Sequence, residues 1–226
     1  MDIRVMYSLL TRMPLLQGIN GMELARIEER THMQIESMPI AKIPFVRQGQ
    51  HCRELFFLVS GTISRETISR EGTYLTREDL EGPAVIEADK LFGLHCQYGS
   101  SYQTVAECQV IRVEKQDVVA HLLKNDIFRT NYINMLSAEL YRQGRAAESQ
   151  KLLTAEAKMK HFISKLFTTA TGEKYLQIKM TDLAQFVGET RLTVSNILNN
   201  WSSQGLVNLK RKEIIIPDIS KLKREE

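Results

Sequence analysis

Cysteine is scarce in this chain. Of 226 residues only three are cysteines, Cys52, Cys96 and Cys108. No two of them form a C-x-x-C pair and the count is odd, which argues against a disulfide framework and against a structural zinc site. Histidine is nearly as sparse. The five histidines, at 32, 51, 95, 121 and 161, never come within two positions of each other, so the His-x-His pair that a cupin-type metal site needs has no starting point. No P-loop, dinucleotide-binding glycine pattern or Ser-His-Asp spacing occurs, and the chain is not expected to be an enzyme. Long apolar runs are also missing. No segment is apolar enough to span a bilayer, and Arg4 and Arg12 interrupt the N-terminal MDIRVMYSLLTRMPLL, which does not read as a signal peptide. A cytoplasmic protein with no membrane partner is the expectation.

Hydrophobic residues make up 43% of the chain, enough for a folded protein of one large or two small domains. The net charge of +3 is unevenly spread. Residues 1–150 carry 17 Lys and Arg against 19 Asp and Glu, whereas residues 151–226 carry 13 against 8. The basic excess lies in the last third and points to an anionic partner there. Between residues 43 and 113 lie six of the twelve glycines, separating short β-prone runs such as ELFFLVSG, TISRETIS, TYLTRED, AVIEA and CQVIRV. Short strands punctuated by glycine predict a sandwich or roll. Ahead of them, Met22, Leu24 and Ile27 repeat at helical spacing.

From about Lys115 helical spacing takes over. Ile133, Leu136, Leu140, Gln143 and Ala147 form one face, and Phe128, Tyr132 and Met135 form another. A helix with two apolar faces must bury both. One can cover the roll, and the other fits a second copy of the same helix. A break at Leu153-Thr154 follows, with Thr154 placed to cap the next helix, AEAKMKHFISKLF. The expected organisation is a roll over 1–124, a dimerisation helix and hinge over 125–153, and a third region over 154–226. No Pro- or Gly-rich linker separates them.

The last region reads MTDLAQFVGETRLTVSNILNNWSSQGLV from Met180. Thr181 is placed to cap one short helix, Gly188 to make a tight turn, and Thr190 to cap a second helix with Val194, Ile197, Leu198 and Trp201 on its inner side. Two short helices joined through a glycine turn predict a helix-turn-helix, whose second helix enters the DNA major groove. Its outer side carries Arg191, Leu192, Thr193, Ser195, Asn196 and Asn199. The following LVNLKRKEIIIPD reads as a β-hairpin with Lys210, Arg211 and Lys212 at its tip, a wing suited to phosphate.

With these motifs the sequence resembles the cyclic-AMP receptor protein/FNR (Crp/Fnr) superfamily of bacterial transcription regulators. The resemblance is carried by MPLLQGI, FVRQGQHCRELFFLVSGTIS, LFGL, the long helix and MTDLAQFVGETRLTVSNIL, and it covers nearly the whole chain. It implies an α+β fold: an N-terminal double-stranded β-helix (a jelly roll of the cyclic-nucleotide-binding type), a long dimerisation helix and a C-terminal winged helix-turn-helix. It also implies a homodimer on a palindromic double-stranded DNA site, with RNA polymerase as a further partner. Family readers place an Arg at the second position of the recognition helix, a Glu beside it and an Arg about four residues on. Here those positions hold Arg191, Leu192 and Asn196.

The family's sensor residues are largely replaced. Leu91 to Ala106, LFGLHCQYGSSYQTVA, contains no Asp, Glu, Lys or Arg. Cyclic-AMP-binding members carry Phe-Gly-Glu there, with an Arg about ten residues later that pairs with the cyclic phosphate. Here Phe92-Gly93 is followed by Leu94, and Ser100–Gln103 supplies no cation, so the sequence argues against cyclic AMP. Residues 1–51 contain no cysteine, which argues against the iron–sulfur cluster of the oxygen-sensing branch. Phe92, Gly93, Leu94, His95, Tyr102 and Thr104 are the candidate effector pocket. Haem with His95 as ligand stays open beside a plain filled roll, and the effector is unknown. The rival reading of the whole chain is a β-roll small-molecule binding protein or cupin-like enzyme with an accessory helical domain.

Overall fold

A computed structural model describes residues 8–31, 33, 35–148, 154–169 and 172–223. Leu153 and Ser149 lie outside that range, as do the side chains of Gln143 and Ala147. The chain divides into two compact units, Met1–Ser64 with Leu80–Arg142, and Arg65–Asp79 with Gln143–Glu226.

The first unit opens with α1, Gly21–Thr31. The Asn20 side chain accepts from the Glu23 amide at 2.9 Å, and Leu24 and Ile27 turn inward. Strands β1 (Ile35–Met38), β2 (Glu54–Ser60), β5 (Ala84–Ile86) and β7 (Cys108–Glu114) form an antiparallel sheet in the order β1-β7-β2-β5. The run Leu55–Val59 of β2 is buried throughout, as an unbroken apolar strand in the middle of a covered sheet should be. At the end of β2, Gly61 has φ 93°, and a Cβ there would lie 2.4 Å from the Glu107 carbonyl oxygen. Only glycine allows that turn. Strand β3 (Thr62–Ile68) starts here and β4 (Tyr74–Glu81) ends here, and β6 (Ser101–Thr104) lies beside β3. Helix α2 (Lys115–Ala120) leads to α3, Asp126–Glu148. The Asn125 side chain caps α3 by accepting from the Ile127 and Phe128 amides at 3.1 and 3.0 Å. Leu136, expected on the α3 face turned away from the roll, packs partly against the roll core. Phe128 and Tyr132 are buried in the roll core, while Ile133 and Leu140 are exposed.

The second unit is built on α4 (Ala155–Leu166), β8 (Lys174–Ile178), α5 (Met180–Val187), α6 (Arg191–Ser203), β9 (Asn208–Lys210), β10 (Glu213–Ile216) and α7 (Ile219–Lys223). As expected, the Thr154 hydroxyl caps α4, accepting from the Ala157 amide at 3.2 Å. Trp201 is fully buried among Met159, Ile163, Leu183 and Leu198, and its indole N–H donates to Glu156 Oε1 at 2.9 Å. That hydrogen bond, against the cost of burial, holds the Glu156 carboxyl below its ordinary range.

The hairpin tip Arg65–Asp79 belongs to this unit. Strand β4 pairs antiparallel with β8, Thr76 opposite Leu176 and Glu78 opposite Lys174, so the order is β4-β8-β10-β9. Glu78 is buried there at 2% exposure. Its carboxylate accepts from Arg65 at 2.9 Å, from the Thr168 amide and hydroxyl at 2.9 and 2.7 Å, from the Thr169 amide and hydroxyl at 3.2 and 2.8 Å, and pairs with Lys174 Nζ at 3.2 Å. Burial by itself would push this carboxyl up. The four hydrogen bonds from Thr168 and Thr169 outweigh it and bring it down to about 2.

Candidate nucleic-acid interface

The interface is assembled around one turn. Helix α5 ends at Gly188, whose φ of 67° and ψ of 36° place it in the left-handed region. Its amide donates to the Gln185 carbonyl at 3.2 Å and the Glu189 amide to the Ala184 carbonyl at 3.0 Å, so the last carbonyls of α5 are satisfied and the chain reverses. Lys158 Nζ of α4 bonds Glu189 Oε1 at 2.6 Å and fixes the turn from outside. Thr190 then caps α6, its hydroxyl accepting from the Thr193 amide at 3.1 Å.

Thr181 does not cap α5. The helix begins one residue earlier, and the Lys179 carbonyl accepts from the Asp182 and Leu183 amides, with no side-chain cap at that end. The Thr181 hydroxyl instead donates to Asp182 Oδ1 at 3.0 Å. A Thr just ahead of a set of apolar positions marks a helix start in sequence but does not fix it to the residue.

Val194, Leu198 and Trp201 of α6 are buried, and Ile197 packs partly against them. With that side turned in, Arg191, Leu192, Asn196 and Asn199 are exposed, and Thr193 and Ser195 are half-buried at the margin. Strands β9 and β10 pair with Lys210 opposite Glu213, which leaves Arg211 and Lys212 as the two-residue tip. Lys212 takes φ 62°, and Lys210, Arg211 and Lys212 are all exposed. Between this wing and the starts of α5 and α6 runs a groove of about 350 Å³, lined by Lys179, Thr181, Arg191, Lys210 and Lys212 around a floor of Leu183, Leu209 and Ile214. Thus Thr181, Thr190, Arg191, Lys210 and Lys212, far apart in sequence, come to one side of this unit. Lys179 joins them, a residue that no sequence motif marks out.

The candidate effector residues of the first unit are not gathered in this way. Gly93, Leu94 and His95 are exposed, Leu94 at 98%. Phe92 is half-buried against the Tyr132 ring at 5.9 Å. Tyr102 and Thr104 point inward from β6. The Thr104 hydroxyl donates to the Pro39 carbonyl at 2.8 Å. The Tyr102 hydroxyl donates to Glu87 Oε1 at 2.9 Å, and the Gly99 amide to Glu87 Oε2 at 2.5 Å. Glu87, held at a left-handed φ of 36°, is the residue that sequence reading missed here. Among the described residues no group of three or more His, Cys, Asp and Glu could hold a metal ion, and no helix is long and apolar enough to cross a membrane.

Residues 157–225 match the family model of the Crp-like helix-turn-helix domain. Electron transport regulator A of Shewanella oneidensis is 27% identical over 180 residues, which are 76% of this chain and 70% of that protein. The regulatory protein HlyX of Actinobacillus pleuropneumoniae is 23% identical over 81% of this chain and 79% of its own length. The structure is similar to that of the Thermus thermophilus catabolite activator protein, with a TM-score of 0.51 at 18% identity over 93% of this chain and 96% of that one. It is also similar to the sensor domain of the transcriptional regulator DNR from Pseudomonas aeruginosa, with a TM-score of 0.53 at 19% identity over 67% of this chain and 98% of that one.

Proposed function

We propose that the chain is a transcription regulator of the Crp/Fnr type, a homodimer that reads a palindromic DNA site and whose sensor unit lacks the residues that bind cyclic AMP. The observation that carries the reading is the surface made by the start of α6 and the wing. A capped helix presents one guanidinium and several short polar groups, next to three exposed cations on a hairpin tip. This combination sorts into two kinds of contact. Arg191 and Asn196 suit base edges, the first guanine at O6 and N7, the second adenine. Leu192 offers a methyl contact to thymine and no acceptor for cytosine. Lys210, Arg211 and Lys212 suit phosphates.

Dimerisation is supported by Ile133 and Leu140, which the roll leaves exposed on α3. Two such helices, related by a two-fold axis, set the half-sites about 34 Å apart, one turn of DNA. A dimer of this kind, bound beside a promoter, would have RNA polymerase as its further partner. The departure from cyclic nucleotides is supported by Glu87. Its carboxylate takes the Gly99 amide and the Tyr102 hydroxyl, next to the Ser100–Gln103 stretch where the resemblance would put the phosphate-binding Arg and no cation stands.

Selection from random DNA, followed by anisotropy titration at several salt concentrations, tests the proposal. Arg191→Ala should cost about 1–3 kcal/mol and relax selection at one position per half-site. Lys212→Ala should weaken all sequences alike and lower the salt slope. An unchanged base preference in Arg191→Ala would remove Arg191 from base reading.

A further inference from the structure

The three cysteines are free and buried, but two of them face each other. His51 and Gln97 form an isolated antiparallel bridge. One step along each strand, the Cys52 amide donates to the Cys96 carbonyl at 2.8 Å. Side chains alternate sides along paired strands. His51 and Gln97 are accordingly exposed while Cys52 and Cys96 both turn inward. Residues opposed in an antiparallel pair have Cα atoms about 4.5–5.5 Å apart, within the range of about 4.4–6.8 Å that a disulfide spans. The sulfurs are not equivalent. Cys96 retains 8% exposure against 1% for Cys52, and it sits beside the exposed residues Gly93, Leu94 and His95. Lys115 Nζ lies 3.6 Å from Cys96 Sγ, with its ammonium over the Phe92 ring at 5.1 Å.

We propose that Cys52 and Cys96 are an oxidisable dithiol, in which Cys96 reacts with hydrogen peroxide and Cys52 closes the bond. In the first step Cys96 Sγ, as thiolate, attacks one peroxide oxygen. The O–O bond breaks, the sulfur is oxidised to a sulfenic acid, and the leaving hydroxide takes up the thiol's proton as water. In the second step Cys52 Sγ attacks the sulfenyl sulfur. The S–O bond breaks, the S–S bond forms, and the departing hydroxide leaves with the Cys52 proton as a second water. One peroxide is reduced to two waters, and two thiols give one disulfide. Lys115 supplies the positive charge beside the sulfur that attacks. Burial, first among its influences, pushes the Cys52 thiol up, and the greater exposure of Cys96 and its contact with Lys115 assign the first step to Cys96. Cys108 stands apart, fully buried, with its thiol donating to the Thr62 and Ala106 carbonyls at 3.2 Å each.

The test uses the reduced full-length protein, treated under native conditions with a small excess of hydrogen peroxide and mapped as non-reduced peptides by mass spectrometry. The expected product is an intramolecular Cys52–Cys96 peptide, with a loss of two hydrogens from the intact mass and Cys108 still free. Cys52→Ser should stop at a Cys96 sulfenic acid that dimedone traps, Cys96→Ser should lose the linkage, and Lys115→Met should slow dimedone labelling of the Cys52→Ser protein. The linked peptide is read on the wild type, so the proposal does not depend on how the variants fold. No linkage, a linkage through Cys108, or a linkage between chains would overturn it.

Discussion

Glu78→Gln should destabilise the second unit by about 3 kcal/mol. Two routes lead to that figure. The carboxyl is held at about 2 against an ordinary value of 4.5, and at about 1.4 kcal/mol for each pH unit that difference is worth about 3 kcal/mol of folding free energy at neutral pH. From the other side, the amide breaks the buried pair with Lys174, at 0% exposure, and breaking such a pair typically costs about 3–5 kcal/mol. The assay is provided by the sequence. Trp201 is the single tryptophan and lies in the core of this unit, so its emission during urea unfolding follows this unit alone. At a slope of about 2 kcal/mol/M the midpoint should fall by ~1.5 M or more. The pH dependence follows from the sign of the shift. A depressed carboxyl contributes its full stability above 4.5 and loses it as pH falls through about 2. The gap between wild type and variant should therefore hold from pH 7 to about 5 and more than halve by about pH 3. Pairing Glu78→Gln with Lys174→Met should recover part of the loss, because neither charge is then left alone. A midpoint that does not move at pH 7, or a gap that stays flat down to pH 3, would refute the account of Glu78 as the anchor of the hairpin.

Leu140→Glu should convert the dimer to monomer in sedimentation velocity without changing the far-ultraviolet circular dichroism. Leu140 is 69% exposed in the single chain, whereas opposed carboxylates in a helix seam are strongly unfavourable. Leu136 is the poorer probe because it also packs against the roll core, and a variant at Leu140 that still sediments as a dimer would place the seam elsewhere. Calorimetry with cyclic AMP and cyclic GMP should show no binding in the micromolar range, and heat from either nucleotide at that level would contradict the role given to Glu87.

The winged helix-turn-helix was legible because its signals are local. Thr190, Gly188 and the apolar spacing of Val194, Leu198 and Trp201 each act within a turn of chain, and each appears where the spacing puts it. The error at Thr181 is an error of two residues in a cap, which falls at Lys179. The long helix was legible for the same reason, since Phe128 and Tyr132 lie one turn apart on the side that is buried. What was not legible is pairing between distant segments. TYLTRED reads as a strand, but nothing in it names KYLQI, almost a hundred residues on, as its partner. Glu78 in that run looks like a surface charge because its donors, Thr168, Thr169 and Lys174, arrive from the same distance. Ser100–Gln103 reads only as a stretch without a cation, yet Tyr102 within it is buried, since its hydroxyl has the Glu87 carboxylate as partner. The cysteines follow the same logic. Wide spacing and an odd count exclude a local or framework pairing, but a sheet places residue 52 opposite residue 96 as readily as residues five apart. Spacing along the chain thus bears on a stable scaffold and is silent about a reversible bond between two strands, which only the register of the His51–Gln97 bridge makes visible.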